Sequence, residues 1–220
     1  MEAIEAAWPA LLNGASTTAR IAVQAGVLAL LVSFLVAALR MAAPPPVRWV
    51  LAAYVEFFRG TSAFVQIFWA YFALPFFGIR LSPEVAGVAI LALNVGAYGS
   101  EVVRGALVAV PRGQFEAARA LGLRPVAIYL KVIIPQALIR AILPLGNLMV
   151  DLVKGTSLLS AIAVTDLAFA GRQAASVFGA PLTIFTVVLV LYFCITGPLG
   201  WGAARLDQNL RRRMALDGAR

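Results

Sequence analysis

Between Arg20 and Arg40 the chain carries nineteen consecutive residues without a charge, and longer uncharged runs follow at Gly60 to Ile79 and at Gln173 to Ala204. Such runs are long enough to cross a hydrocarbon layer as helices. They are continuously apolar rather than alternating, which excludes the strands of a barrel, and backbone in lipid must satisfy its own hydrogen bonds. With 62% hydrophobic and 13% charged residues, the whole is too apolar for an ordinary soluble domain. The expectation is an all-α membrane protein, one domain over residues 1–220.

The net charge of +8 sits mostly at the edges of the apolar blocks, where basic residues set topology. No soluble surface is left to bind nucleic acid. Histidine is absent, and with it the commonest general base and metal ligand. The single Cys194 lies inside an apolar run, so there is no disulfide framework and no CxxC pair. Neither a metal cluster nor a catalytic triad can be assembled, so an enzyme is not expected. A cleavable signal peptide is not expected either, because the first apolar block is long enough to span and follows acidic Glu2 and Glu5.

In chain order, residues 1–16 read as a lead broken at Pro9 and Gly14, and five spans follow at about 17–40, 52–78, 83–108, 132–153 and 181–204. Pro44, Pro45 and Pro46 separate the first two, and Pro135 and Pro144 kink or offset the fourth. Leu158 to Ala170 is too short to span and reads as a re-entrant or interfacial helix with Asp166 and Arg172 at its end. Five spans put the termini on opposite sides. Arg40, Arg48, the basic loop at 111–131 and the tail with Arg205, Arg211, Arg212 and Arg213 then share one side. The positive-inside rule makes that side cytoplasmic and leaves the amino terminus outside.

Within that loop, Gln114 to Pro135 (QFEAARALGLRPVAIYLKVIIP) is a helix-forming polar island. A short helix pair on such a loop can dock in a groove of a soluble partner. Small Ala117 and Ala118 would allow close approach, and Glu116 near a helix start can accept charge-assisted bonds. Gly122 permits the turn between two short helices. An ordinary basic loop is the alternative.

The island resembles the EAA loop of permease subunits in binding-protein-dependent ABC importers. That pattern is EAA, three residues, Gly, nine residues, then Ile-x-Leu-Pro. Here stand Glu116-Ala117-Ala118, Gly122 and Val132-x-Ile134-Pro135, with Pro111, Gly113 and Gln114 completing the upstream form. EFFRGTSAFVQIFWAYFALP (56–75), LALNVGAYGSEVVRGAL (91–107), PQALIRAILPLGN (135–147) and LVKGTSLLSAIAVTDL (152–167) are similar to the polar amino-acid importers. Ser62-Ala63-Phe64 and Gly155 depart from that subfamily's usual residues.

The resemblance implies the five-span core shared with the methionine importers. It also implies partners: cytoplasmic ATPase subunits, a second permease subunit that is identical or different, an extracytoplasmic solute-binding protein and an amino-acid solute. The setting is the inner membrane of a bacterium. No Gly-x-x-x-x-Gly-Lys-Ser/Thr loop is present, and Lys154-Gly155-Thr156-Ser157 has those residue types in the wrong order. This chain is therefore expected to bind no cofactor, with ATP and Mg held by the ATPase subunits. Gly113, Gln114, Glu116, Ala117, Ala118, Gly122 and Pro135 are the coupling residues implied.

Polar side chains in apolar spans tend to face a bundle interior or a water-filled path. Gln66, Asn94, Tyr98, Glu101, Lys154, Thr156 and Ser157 are the candidates for a solute path, with Asn94, Tyr98 and Glu101 on one side of the third span. Helix-to-helix hydrogen bonding is the alternative for each. Glu101 and Arg104, three apart, can pair, and Arg59 and Arg104 read as anchors at the cytoplasmic edge. An ion-gradient-driven secondary transporter or channel subunit is the rival function, and it predicts flux without nucleotide.

Overall fold

The computed structural model describes residues 2–217, with side chains over 4–212, so the side chains of Glu2 and Arg213 fall outside it. All regular elements among these residues are helices. Four helices are long and apolar enough to cross a membrane, five if one bent pair is counted as a single span.

Helix α1 (Glu2–Ala42) runs straight through both expected breakers. Pro9 is carried inside the helix, about two turns after it begins. Gly14 is there for a different reason: a Cβ on it would lie 2.9 Å from the Leu167 Cα and 2.9 Å from the Asp166 carbonyl oxygen. Its missing side chain brings another segment's backbone close, which sequence periodicity does not register.

The expected second span is two helices, α2 (Pro45–Gly60) and α3 (Ala63–Phe68), bent by 107°. Thr61 and Ser62 are extended between them. A π turn (Trp69–Ala73) and a 3-10 turn (Leu74–Phe77) carry α3 on to Gly78. Next, α4 (Pro83–Val108) has the expected bounds, and the Ser82 hydroxyl accepts from the Val85 N–H at its start.

Two short helices follow, α5 (Arg112–Ala120) and α6 (Pro125–Ile128). A π turn (Tyr129–Ile133) leads into α7 (Ile134–Gly155), so this span starts earlier than residue 132. Pro135 lies in the first turn of α7, and its missing N–H releases the hydrogen bond that a π turn must rearrange. Pro144 is carried inside α7.

The expected short helix at 158–170 is displaced. A 3-10 turn (Thr156–Ile162) ends at Ala163, whose φ is +62°, and the helix proper is α8 (Leu167–Phe178). Asp166 caps its start instead of marking its end, accepting from the Phe169 N–H at 2.9 Å. Asp166 also accepts from the Tyr192 hydroxyl at 3.3 Å, and the Thr18 hydroxyl accepts from the Leu167 N–H at 3.1 Å. The buried carboxylate is thus held by Tyr192, and the backbone N–H beside it by Thr18 of α1. Finally, α9 (Pro181–Asp217) starts where expected and continues past Ala204, carrying Arg205, Arg211 and Arg212.

Helix α4 is the axis of the bundle. Its most apolar stretch is 56% buried within the chain, against 39% for α1, 22% for the run containing α7 and 11% for α9. Faces left open on α7 and α9 must meet lipid or another subunit. The main core joins Ile21, Ala25 and Ala29 of α1 to Leu91 of α4, Leu152 of α7 and Leu159. A second cluster, with Val103, Ala106, Ile128, Ile133 and Ala137, fastens the α5–α6 loop to the bundle.

Candidate functional site

The loop has the shape its residues predict: a helix, a left-handed turn at Gly122 (φ +76°) and a second helix. Glu116, Ala117, Gly113 and Gln114 are exposed, and Glu116 has no ion pair among the described residues. The alanine pair is divided. Ala117 faces outward, whereas Ala118 is buried against Ile128 and Ile133, so its small side chain lets α5 sit on its own bundle rather than on a partner. Gln136 reaches back from α7 to Gln114 at 3.3 Å, and Pro135 is exposed beside it.

Gln66 and Asn94 meet at the α2–α3 break. The Gln66 amide donates to the Phe58 carbonyl (3.1 Å) and the Thr61 hydroxyl (2.6 Å). Asn94 donates to the same Phe58 carbonyl (3.0 Å) and to Gln66 Oε1 (3.0 Å). These side chains replace the bonds that the bend removes from α2, the condition for irregular backbone at membrane depth. Tyr98 donates to the Arg59 carbonyl at 3.2 Å, and the Arg59 guanidinium lies 5.5 Å from its ring centre. Arg59 itself is exposed in the last turn of α2, directly before the break.

Glu101 is elsewhere. It bridges Arg104 (2.6 Å) on its own helix and Arg40 at the end of α1. Lys154 pairs with Asp151 at 3.4 Å, both exposed. Thr156 is fully buried, donating to the Val153 carbonyl, and Ser157 donates to the Lys154 carbonyl. The path candidates thus fall into three places: the break, the Glu101 bridge, and the far end of α7.

The family model for the inner membrane component of binding-protein-dependent transport systems matches residues 29–212. The chain belongs to that family. Its relatives include a probable amino-acid ABC transporter permease from Sinorhizobium fredii, 42% identical over 72% of this chain and 69% of the relative. The glutamine transport system permease protein of Escherichia coli is 35% identical over 94% of this chain and 96% of its own. Among solved structures, an amino acid ABC transporter with histidines superposes with a TM-score of 0.86 at 29% identity, covering 91% and 94% of the two chains. The inward-facing MetNI methionine transporter shares the fold, with a TM-score of 0.77 at 22% identity over 91% of this chain and 96% of that one.

For this family member, sequence reading named Lys154 but not the polar stripe to which it belongs. Arg140, Asn147, Asp151 and Lys154 are all exposed and lie on one face of α7 at helical spacing. The intervals of seven, four and three residues carried the signal. Arg40 was missed as the partner of Glu101, 61 residues away, because nothing local pairs them.

Proposed function

We propose that this chain is the membrane-spanning subunit of an ATP-driven importer of polar amino acids. The observation that carries the reading is the broken α2–α3 helix, with Arg59, Tyr98, Asn94 and Gln66 around the break inside an apolar span. Discontinuous helices are where transporters place solute sites. An amino acid needs donors for its carboxylate and an acceptor for its ammonium; Arg59 and Tyr98 are donors at the break, and Asp151, an acceptor paired with Lys154, stands in a separate place along the open face of α7. A polar stripe is unfavourable against lipid, which supports a second permease subunit across α7 with the path between them. The relatives named for glutamine and for cystine support the solute class.

In this reading the α5–α6 loop is cytoplasmic and the amino terminus lies outside. Partner subunits hold ATP and Mg and hydrolyse the nucleotide, and a binding protein delivers solute from the other side. Closure of the ATPase pair moves the exposed face of α5, and the buried Ala118 and Ile128 transmit that movement to α4 and α7. The test is uptake in proteoliposomes containing the assembled transporter. Glu116→Lys should abolish ATP-driven uptake while leaving the chain folded. Uptake that needs no ATP and survives Glu116→Lys would sink the importer reading in favour of a gradient-driven carrier.

A further inference from the structure

At the end of the bundle that carries α5, an open cavity of about 370 Å³ lies between the end of α1, the start of α2 and α4. Arg40, Arg48 and Arg104 line it, together with Trp49 and Ala52. The geometry points to a binding site for an anionic phosphodiester, the headgroup of an acidic phospholipid or a phosphate of the same chemistry.

Glu101 is shared by Arg40 and Arg104, and Arg48 has no ion pair among the described residues, so three guanidiniums face one carboxylate. The opposite end of the bundle provides a contrast. A cavity of the same size, about 370 Å³, is lined there by Arg20 and Glu84, which neutralise each other at 2.6 Å. An excess of cation is therefore particular to the α5 end and not a general property of the clefts.

Guanidiniums bind phosphate oxygens in paired, charge-assisted bonds, and basic pockets between spanning helices hold acidic headgroups. Trp49, next to Arg48, is 78% exposed, as befits an indole at the headgroup level. Arg40 and Arg104 are already oriented by Glu101, so binding orders only Arg48. A headgroup whose phosphate is neutralised by its own ammonium gains less from this site. The inference needs only the bundle and stands apart from the direction or energy source of transport.

The experiment uses the assembled transporter in nanodiscs, with brominated phosphatidylglycerol and phosphatidylcholine as quenchers of tryptophan fluorescence. Phosphatidylglycerol should be preferred, and Arg48→Gln should lower that preference about fivefold, the effect of one basic side chain near an anionic surface. Arg212→Gln, removing an exposed cation far along α9, should leave it unchanged. An excess of inorganic phosphate that displaces the lipid assigns the cradle to phosphate in general; lipid that stays bound assigns it to the headgroup. No preference for phosphatidylglycerol, or equal losses in Arg48→Gln and Arg212→Gln, would overturn the site.

Discussion

Asn94 of α4 donates to Gln66 Oε1 of α3 at 3.0 Å, and both side chains donate to the carbonyl of Phe58 at the end of α2. One residue pair thereby clamps three helices at the point where a membrane span is bent by 107°. Both are buried, so an unmet partner cannot turn to water.

Replacing either amide should therefore cost about 1–3 kcal/mol, since a buried partner is left unsatisfied. Because they share the Phe58 carbonyl, Asn94→Ala and Gln66→Ala should be clearly less than additive. Thermal denaturation of the two single variants and the double variant measures the coupling. Additive losses would show that the pair does not act as one clamp.

At Glu101 a single carboxylate holds two guanidiniums from two helices, and its side chain is 19% exposed. Glu101→Gln should destabilise by about 2 kcal/mol, less than the ~3–5 kcal/mol of a fully buried pair because solvent reaches the bridge. Arg104→Gln should cost less, since Arg40 still pairs with Glu101. Melting temperatures in detergent decide, and the reverse order would refute the bridge as the tie between α1 and α4.

Gly122 adopts φ +76° with open space around it. Gly122→Ala should cost about 1–2 kcal/mol through backbone conformation alone. Gly122→Asn, a residue that visits this region, should cost less. If coupling depends on the turn, ATP-driven uptake should fall in the same order.

Gly14 and Gly105 make a paired test of close approach. A Cβ at Gly14 meets the backbone of Asp166 and Leu167, whereas one at Gly105 meets nothing within 4 Å. Gly14→Ala should destabilise by about 1–3 kcal/mol through overpacking. Gly105→Ala, on an open helix surface, should be neutral or stabilising by up to about 1 kcal/mol. Equal effects would mean that the α1–α8 approach is not tight.

Much of this architecture was legible in the chain. Uncharged length marked out the spans, and Pro83 and Pro181 placed two helix starts because proline chemistry is local. The spacing from Glu116 to Gly122 anticipated a helix and a turn for the same reason. Asp166, expected at the end of a short helix, starts the next one instead, because apolar residues lie on both its sides.

Hydropathy, most helix ends and turn chemistry are settled within a few residues and can be read along the chain. Tertiary structure alone decided that Gly14 is a contact and not a break, that Ala118 turns inward while Ala117 faces out, and that the second span bends at Thr61. It also chose Arg40 as the partner of Glu101 and Asn94 as the partner of Gln66. The reason is physical. In an apolar bundle every exposed carbonyl and unpaired charge must find a partner, and that partner is whichever side chain packing brings near, however distant along the chain.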